Sequence, residues 1–217
     1  MTRPLAAWLG AALSLVSGSA AAAAVALVTA VSGPVAREPA GGEAAAGLEA
    51  FVRLNEGDRL SLGRDARVQI LFFDGGRQEN WRGAGVLRVE AAAAARLEGD
   101  LKAESRVLPV AMVRQIAKTP PSDGAVAEPK VRTRSMPSGG TLESIEKNYS
   151  ELRKQADPAD RNPEIYLLAG YFELKEFDKI DVILKQLADD KAADPEIRML
   201  KSLYTRAIRN ARSAAAK

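Results

Sequence analysis

Any chemistry in this chain must come from carboxylates, hydroxyls and amines, because its 217 residues include no histidine and no cysteine. Imidazole bases, thiol nucleophiles and the usual zinc ligand sets are thereby removed. The carboxylates that stand out are Asp58, Asp65 and Asp74, which punctuate the stretch GDRLSLGRDARVQILFFDGG from Gly57 to Gly76. Two of them brought together could cleave a glycosidic bond, and a cluster could hold calcium, although no D-x-[DN]-x-[DN]-G loop is present. Each one, however, sits beside glycine or in a polar break, where an aspartate accepts nearby backbone N–H groups and closes its own turn. Turn formation is the expected role. No catalytic, cofactor-binding or metal-ligating residue is expected, and no cofactor.

The aromatic side chains offer binding chemistry instead. Trp81 lies between polar neighbours in QENWRG, so it either forms an exposed platform for a sugar ring or a peptide, or covers one end of a β core with its N–H satisfied at the edge. Tyr166, Tyr171 and Phe172 either fill a helical core or line a peptide groove. Together with Tyr204 on the last helix, Trp81, Tyr166 and Tyr171 are the possible ligand or partner contacts.

The elements that must position these residues follow from periodicity. Leu60 and Leu62 point to one face while Arg59 and Ser61 point to the other, and Val68, Ile70 and Phe72 repeat the period of two after a turn. Strands are expected at Val25–Ser32, Glu49–Leu54, Arg59–Leu62, Arg67–Phe73, Glu79–Arg82 and Val86–Val89, and residues 35–47, containing AGGEAAAG, read as a loop. Ala91–Ala95 is ambiguous, since alanine prefers helix while both flanks read as β. A short helix fits Pro109–Lys118, where Val110, Val113 and Ala117 share a face and proline suits the first turn.

Residues 119–140, TPPSDGAVAEPKVRTRSMPSGG, hold four prolines and no apolar period, which marks an extended linker; Arg132 and Arg134 within it read as solvated charges. From Thr141 the pattern is helical. Leu142, Ile145, Tyr149 and Leu152 form one stripe; Ile165, Leu168 and Phe172 a second; Ile180, Ile183, Leu184 and Leu187 a third; Ile197, Leu200 and Tyr204 a fourth. Asn162 before Pro163 and Asp194 before Pro195 are the expected N-caps.

Those two starts, NPEIYLLAGYF and DPEIRMLKSLY, align with Pro163 and Pro195 offset by 32 residues. A period near this value with two helices per unit is that of a helical-hairpin solenoid, and the segment resembles the tetratricopeptide repeat through Leu167, Leu168, Tyr171, Phe177, Leu184 and Leu187. Lys175 stands where that family turns on glycine, and Ile180 where it carries a small residue. Four helices make about two repeats, fewer than the three or so that bury a continuous core. The module is therefore expected to lean on its own β domain or on a partner.

The N-terminus carries Arg3 and then no charge until Arg37. A basic n-region, an apolar stretch around Leu5–Val16 and small residues from Gly18 to Ala24 fit a signal peptide over residues 1–24, with A-x-A sites ending at Ala22 or Ala24. An uncleaved anchor is the alternative. Without cysteine there is neither a lipid-modified N-terminus nor a disulfide. Leaving out Arg3, 30 basic residues face 28 acidic ones, a net charge of +2, too little and too evenly spread for nucleic-acid binding.

With the strands placed, VSGPV, LNEGDRLSLG, ARVQILFFDGG and RQENWRGAGVLRV in this order resemble a FecR-type periplasmic domain over about Val25–Arg96. The resemblance implies a non-catalytic, all-β, solenoid-like domain that works outside the cytoplasmic membrane in signalling or envelope assembly. Signalling members of that family carry a cytoplasmic segment contacting a sigma factor before a membrane span; here three residues precede the apolar stretch, so direct control of a sigma factor is not implied. The expected architecture is α+β and multidomain: a signal peptide (1–24), a FecR-like β domain (25–118), a Pro-rich linker (119–140) and tetratricopeptide-like hairpins (141–213). The expected partners are envelope proteins in the periplasm, with peptidoglycan or another wall polysaccharide as the alternative ligand of the β domain, and no stable membrane span after cleavage.

Overall fold

A computed structural model describes residues 23–120, 122, 140–190 and 194–215. Residues 1–22 of the expected signal peptide and most of the expected linker, including Arg132 and Arg134, lie outside the described residues, and Ala24, within the expected 1–24, already begins the first strand. The described residues form a mixed α+β fold, with ten strands followed by five helices among them: β1 (Ala24–Ser32), β2 (Val35–Glu38), β3 (Ala46–Gly47), β4 (Arg53–Asn55), β5 (Arg59–Leu62), β6 (Arg67–Phe72), β7 (Arg77–Arg82), β8 (Gly85–Val89), β9 (Ala94–Gly99), β10 (Lys102–Val107), α1 (Val110–Ile116), α2 (Leu142–Gln155), α3 (Asn162–Glu173), α4 (Phe177–Asp190) and α5 (Pro195–Ala215).

The strands form two five-stranded antiparallel sheets, ordered β10-β7-β6-β1-β4 and β3-β2-β5-β8-β9. Their facing sides share one core, to which Val28, Ile70, Phe72 and Trp81 contribute from the first sheet and Leu60, Leu62, Leu87 and Val89 from the second. The first sheet is also buried on its other face. Leu27 and Leu71 point away from that core into a second cluster containing Ile116 of α1 and Ile145, Ile165, Leu168 and Tyr204 of the helical hairpins. The order of layers is sheet, sheet, helices. This explains why β1 and the end of β6 are apolar at both parities, VALV and ILF, as a strand covered on two sides must be, while β5 on the outer sheet keeps a strict alternation of exposed and buried residues.

α3 is the centre of the helical layer. Every residue from Asn162 to Tyr171 is buried, and a helix buried all round has neighbours all round. α2 comes close enough to it that a Cβ on Gly170 would lie 2.8 Å from Ile145 Cγ2. The helical layer thus buries much of its apolar surface against the back of the first sheet.

Several elements depart from the sequence expectation. Residues 35–47 are not wholly loop: β2 and β3 pair there, and β2 runs antiparallel to β5 from Val35 to Glu38. The strand expected at Glu49–Leu54 shrinks to Arg53–Asn55, because Phe51 adopts φ +65° and turns the chain, sending its ring into the core beneath the helices. The ambiguous alanines make a bend and then β9, and β10 follows it. Both are edge strands whose side chains are mostly exposed, so they carry no apolar period. The β8–β9 crossing requires glycine: φ is +85° at Gly99, where a Cβ would lie 2.3 Å from the Ala84 carbonyl oxygen.

Asn162 is not the cap of α3. The cap position falls on Arg161 with no side-chain bond; the Asp160 carboxylate accepts the Asn162 N–H at 3.0 Å, and the Asn162 side chain points to Gln78 instead. Asp194 does cap α5, its Oδ1 accepting the Glu196 N–H at 2.9 Å. Lys175, at the turn between α3 and α4, has φ +61°.

Candidate functional site

The turn aspartates behave unequally. Asp58 is fully buried, with Oδ2 accepting from Arg37 Nε at 2.8 Å and from the Asn55 N–H at 3.0 Å, and Oδ1 accepting from the Ala40 N–H at 3.0 Å. Three donors, one of them a guanidinium, satisfy this carboxylate and tie the β4–β5 turn to the chain leaving β2. Asp65 and Asp74 are exposed at turns.

A second buried carboxylate, Glu79, was not anticipated. It is 1% exposed and accepts from Arg77 Nε at 2.6 Å, Trp81 Nε1 at 2.8 Å and the Ala94 N–H at 3.1 Å. The last of these crosses from β7 of one sheet to β9 of the other. Trp81 is therefore 8% exposed and part of the sandwich core, covering its end with the N–H satisfied, and does not form an exposed platform. Glu79 alternates with Gln78 and Asn80 in a polar run, and nothing local distinguishes it; its partners converge only through the crossing of the sheets.

The three tyrosines lie in the other core. The Tyr166 hydroxyl accepts from Asn148 Nδ2 at 3.3 Å, and its ring borders a groove of about 200 Å³ between α1 and α2. Tyr171 donates to Glu146 Oε1 at 2.9 Å, the Lys179 ammonium bonds the same oxygen at 2.9 Å and lies 5.6 Å from the ring centre. Burial and the Glu146 acceptor hold the Tyr171 phenol well above its usual range, and Glu146 is pulled below the usual carboxylate range by its bonds to Lys179 and Tyr171. Tyr204 is fully buried, edge-on to Phe172 at 5.9 Å, and burial raises its phenol strongly. Trp81 is thus separated from Tyr166, Tyr171 and Tyr204, and no common surface unites the four.

A cleft of about 330 Å³ lies on the polar half of the first sheet's helix-side face, lined by Ser32, Arg67, Gln69, Asn80, Arg82, Glu104 and Glu196. Thr29 donates to Gln69 Oε1 at 2.6 Å and Gln69 Nε2 donates to Asn80 Oδ1 at 2.8 Å, while Arg82 and Glu104 pair across the strands at 2.9 Å. Glu196, in the first turn of α5, is pushed up to about 7 by burial and by the nearby Asp194 charge, against the opposing pull of the Val31 N–H and Arg161. Such a surface can hydrogen-bond amides and hydroxyls and exchange a proton near neutrality. Among the described residues, no cluster of three or more potential metal ligands occurs, and no helix is long and apolar enough to cross a membrane.

The chain matches no protein-family model, no curated protein and no solved structure.

Proposed function

We propose that this chain is a non-catalytic periplasmic protein that acts in cell-envelope signalling or assembly by binding other envelope proteins, its β unit a FecR-like domain and its helices a short tetratricopeptide-like array. The observation that supports this reading is the use of one continuous core, reaching from Leu27 and Leu71 through Ile116 to Tyr204 and Ile208, to fix the repeat hairpins on the sheet. Held this way, the helices and the exposed strands form one rigid surface whose parts cannot reorient independently, which favours recognition of a partner of defined shape. The buried acids Asp58 and Glu79 are each consumed by three donors that hold the frame, a role in scaffolding.

The test is fractionation of cells expressing the chain, followed by in-cell cross-linking and identification of neighbours. The reading expects export and a reproducible envelope protein partner. Retention in the cytoplasm, or absence of any cross-linked neighbour, would overturn it.

A further inference from the structure

We propose that the free edge of β10 pairs with the β10 edge of a second copy of this chain, antiparallel and centred on Ser105, joining the two first sheets into one of ten strands. β10 terminates its sheet, and all six of its residues are exposed. Val107 at its end is 72% exposed and Val110, three residues on, is 62% exposed, the two highest values among the described large hydrophobic residues. An uncovered edge of this length is a template for another strand, and natural edges are commonly defended by charge.

Here the charges select a pairing. The strand reads Lys102-Ala-Glu-Ser-Arg-Val107, with Lys102, Glu104 and Arg106 on the helix-side face and Ala103, Ser105 and Val107 on the other, as the register with Arg82, Asn80 and Gln78 of β7 requires. Residues directly opposite one another share a face, so a two-fold pairing must place one residue against its own copy. Centring on Glu104 sets Glu against Glu and Lys102 against Arg106; centring on Arg106 sets Arg against Arg. Centring on Ala103 overlaps only residues 102–104. Centring on Ser105 overlaps residues 103–107, places each Glu104 against Arg106 of the other copy, and covers each Val107 with Ala103.

The neighbours extend this complementarity. Glu104 already pairs with Arg82 at 2.9 Å, and Arg106 with Asp160. In the Ser105 register these line up as Arg82, Glu104, then Arg106 and Asp160 of the second copy, alternating in sign, and the two-fold axis repeats the row. The paired segment is short beside the area that stable complexes bury, so the dimer is expected to be weak, concentration-dependent and loosened by salt.

Because the chain lacks cysteine, single cysteines report the register directly. In the purified chain under mild oxidation, Ser105→Cys should give an intermolecular disulfide at least tenfold faster than Ala103→Cys, since only residue 105 faces itself within disulfide reach. Ala103→Cys mixed with Val107→Cys should cross-link as a pair. Adding Glu104→Arg to Ser105→Cys should slow its cross-linking at least tenfold, and adding Arg106→Glu as well should restore it; thermal unfolding of each variant confirms an intact fold. Equal rates for Ser105→Cys and Ala103→Cys, which a monomer or a different occupant of the edge would give, or a Ser105→Cys rate unmoved by Glu104→Arg, would overturn the proposal.

Discussion

Asn162 Nδ2 donates to Gln78 Oε1 at 2.6 Å across 84 residues of chain, with both side chains buried, and so fastens the first turn of α3 to the start of β7. The same Gln78 oxygen accepts from Arg106 Nη2 at 3.3 Å. This polar junction sits within the seam between helices and sheet, beside the Arg106–Asp160 ion pair, and it helps to specify how the two meet.

Replacing Asn162 by Leu should cost about 0.5–1.5 kcal/mol, because it removes the nearer of the two donors to the buried Gln78 Oε1 and leaves only Arg106 Nη2 at 3.3 Å. Replacing Gln78 and Asn162 together by apolar residues should cost less than the sum of the single changes. Urea unfolding of the two single variants and the double variant measures this coupling; additive costs would show that the pair does not interact.

Glu79→Ala should destabilise by about 1–3 kcal/mol, since it leaves the buried Trp81 indole and the Ala94 N–H without their common acceptor, while the half-exposed Arg77 guanidinium stays solvated. Trp81→Ala should cost more, about 3–5 kcal/mol, by cavity formation. Loss of wall-polysaccharide retention in Trp81→Ala would therefore need Trp81→Phe beside it. The phenyl ring preserves most of the packing, and near-UV circular dichroism would report whether the core survives.

Glu196 couples stability to pH. Its carboxyl is held above the ordinary value of 4.5, at about 7, so the folded state binds the proton more tightly than the unfolded chain. The stabilisation from this group is complete below about pH 4.5 and is lost as pH rises through about 7. Glu196→Gln keeps an acceptor for the Val31 N–H and should remove that slope, making the variant more stable than the parent at pH 8 by about 1 kcal/mol after allowing for the partial exposure of the site. Thermal midpoints at pH 5 and pH 8 check the sign.

Lys175→Gly should raise stability by about 0.5–1 kcal/mol, because Lys175 holds φ +61° at the α3–α4 turn, a conformation that glycine adopts without steric cost. A rise in the thermal midpoint of a few degrees is expected. Lys175→Ala should show no such rise.

Local pattern was enough for the strands with a buried and a solvated face, for the helix starts at Pro163 and Pro195, and for the turn role of Asp58, since each depends on neighbours within a few residues. Alternation marked β6 as a strand with one buried face, whereas β1 and β6 are buried on both. What covers them was decided only when the helices packed on Leu27 and Leu71. β10 has no face in the core, so no hydrophobic period could mark it. Asn162 shows the conflict most directly: its residue type favours a cap, but a buried partner 84 residues away outweighed the local bond. Glu79 and Glu196 acquired their environments in the same way, from groups brought together by the crossing of the sheets and the docking of α5. Sequence alone set the periods and the turns, because those are short-range sterics and amphipathicity; the polar sites were left to tertiary structure, because a carboxylate's donors and its distance from water exist only once distant segments have met.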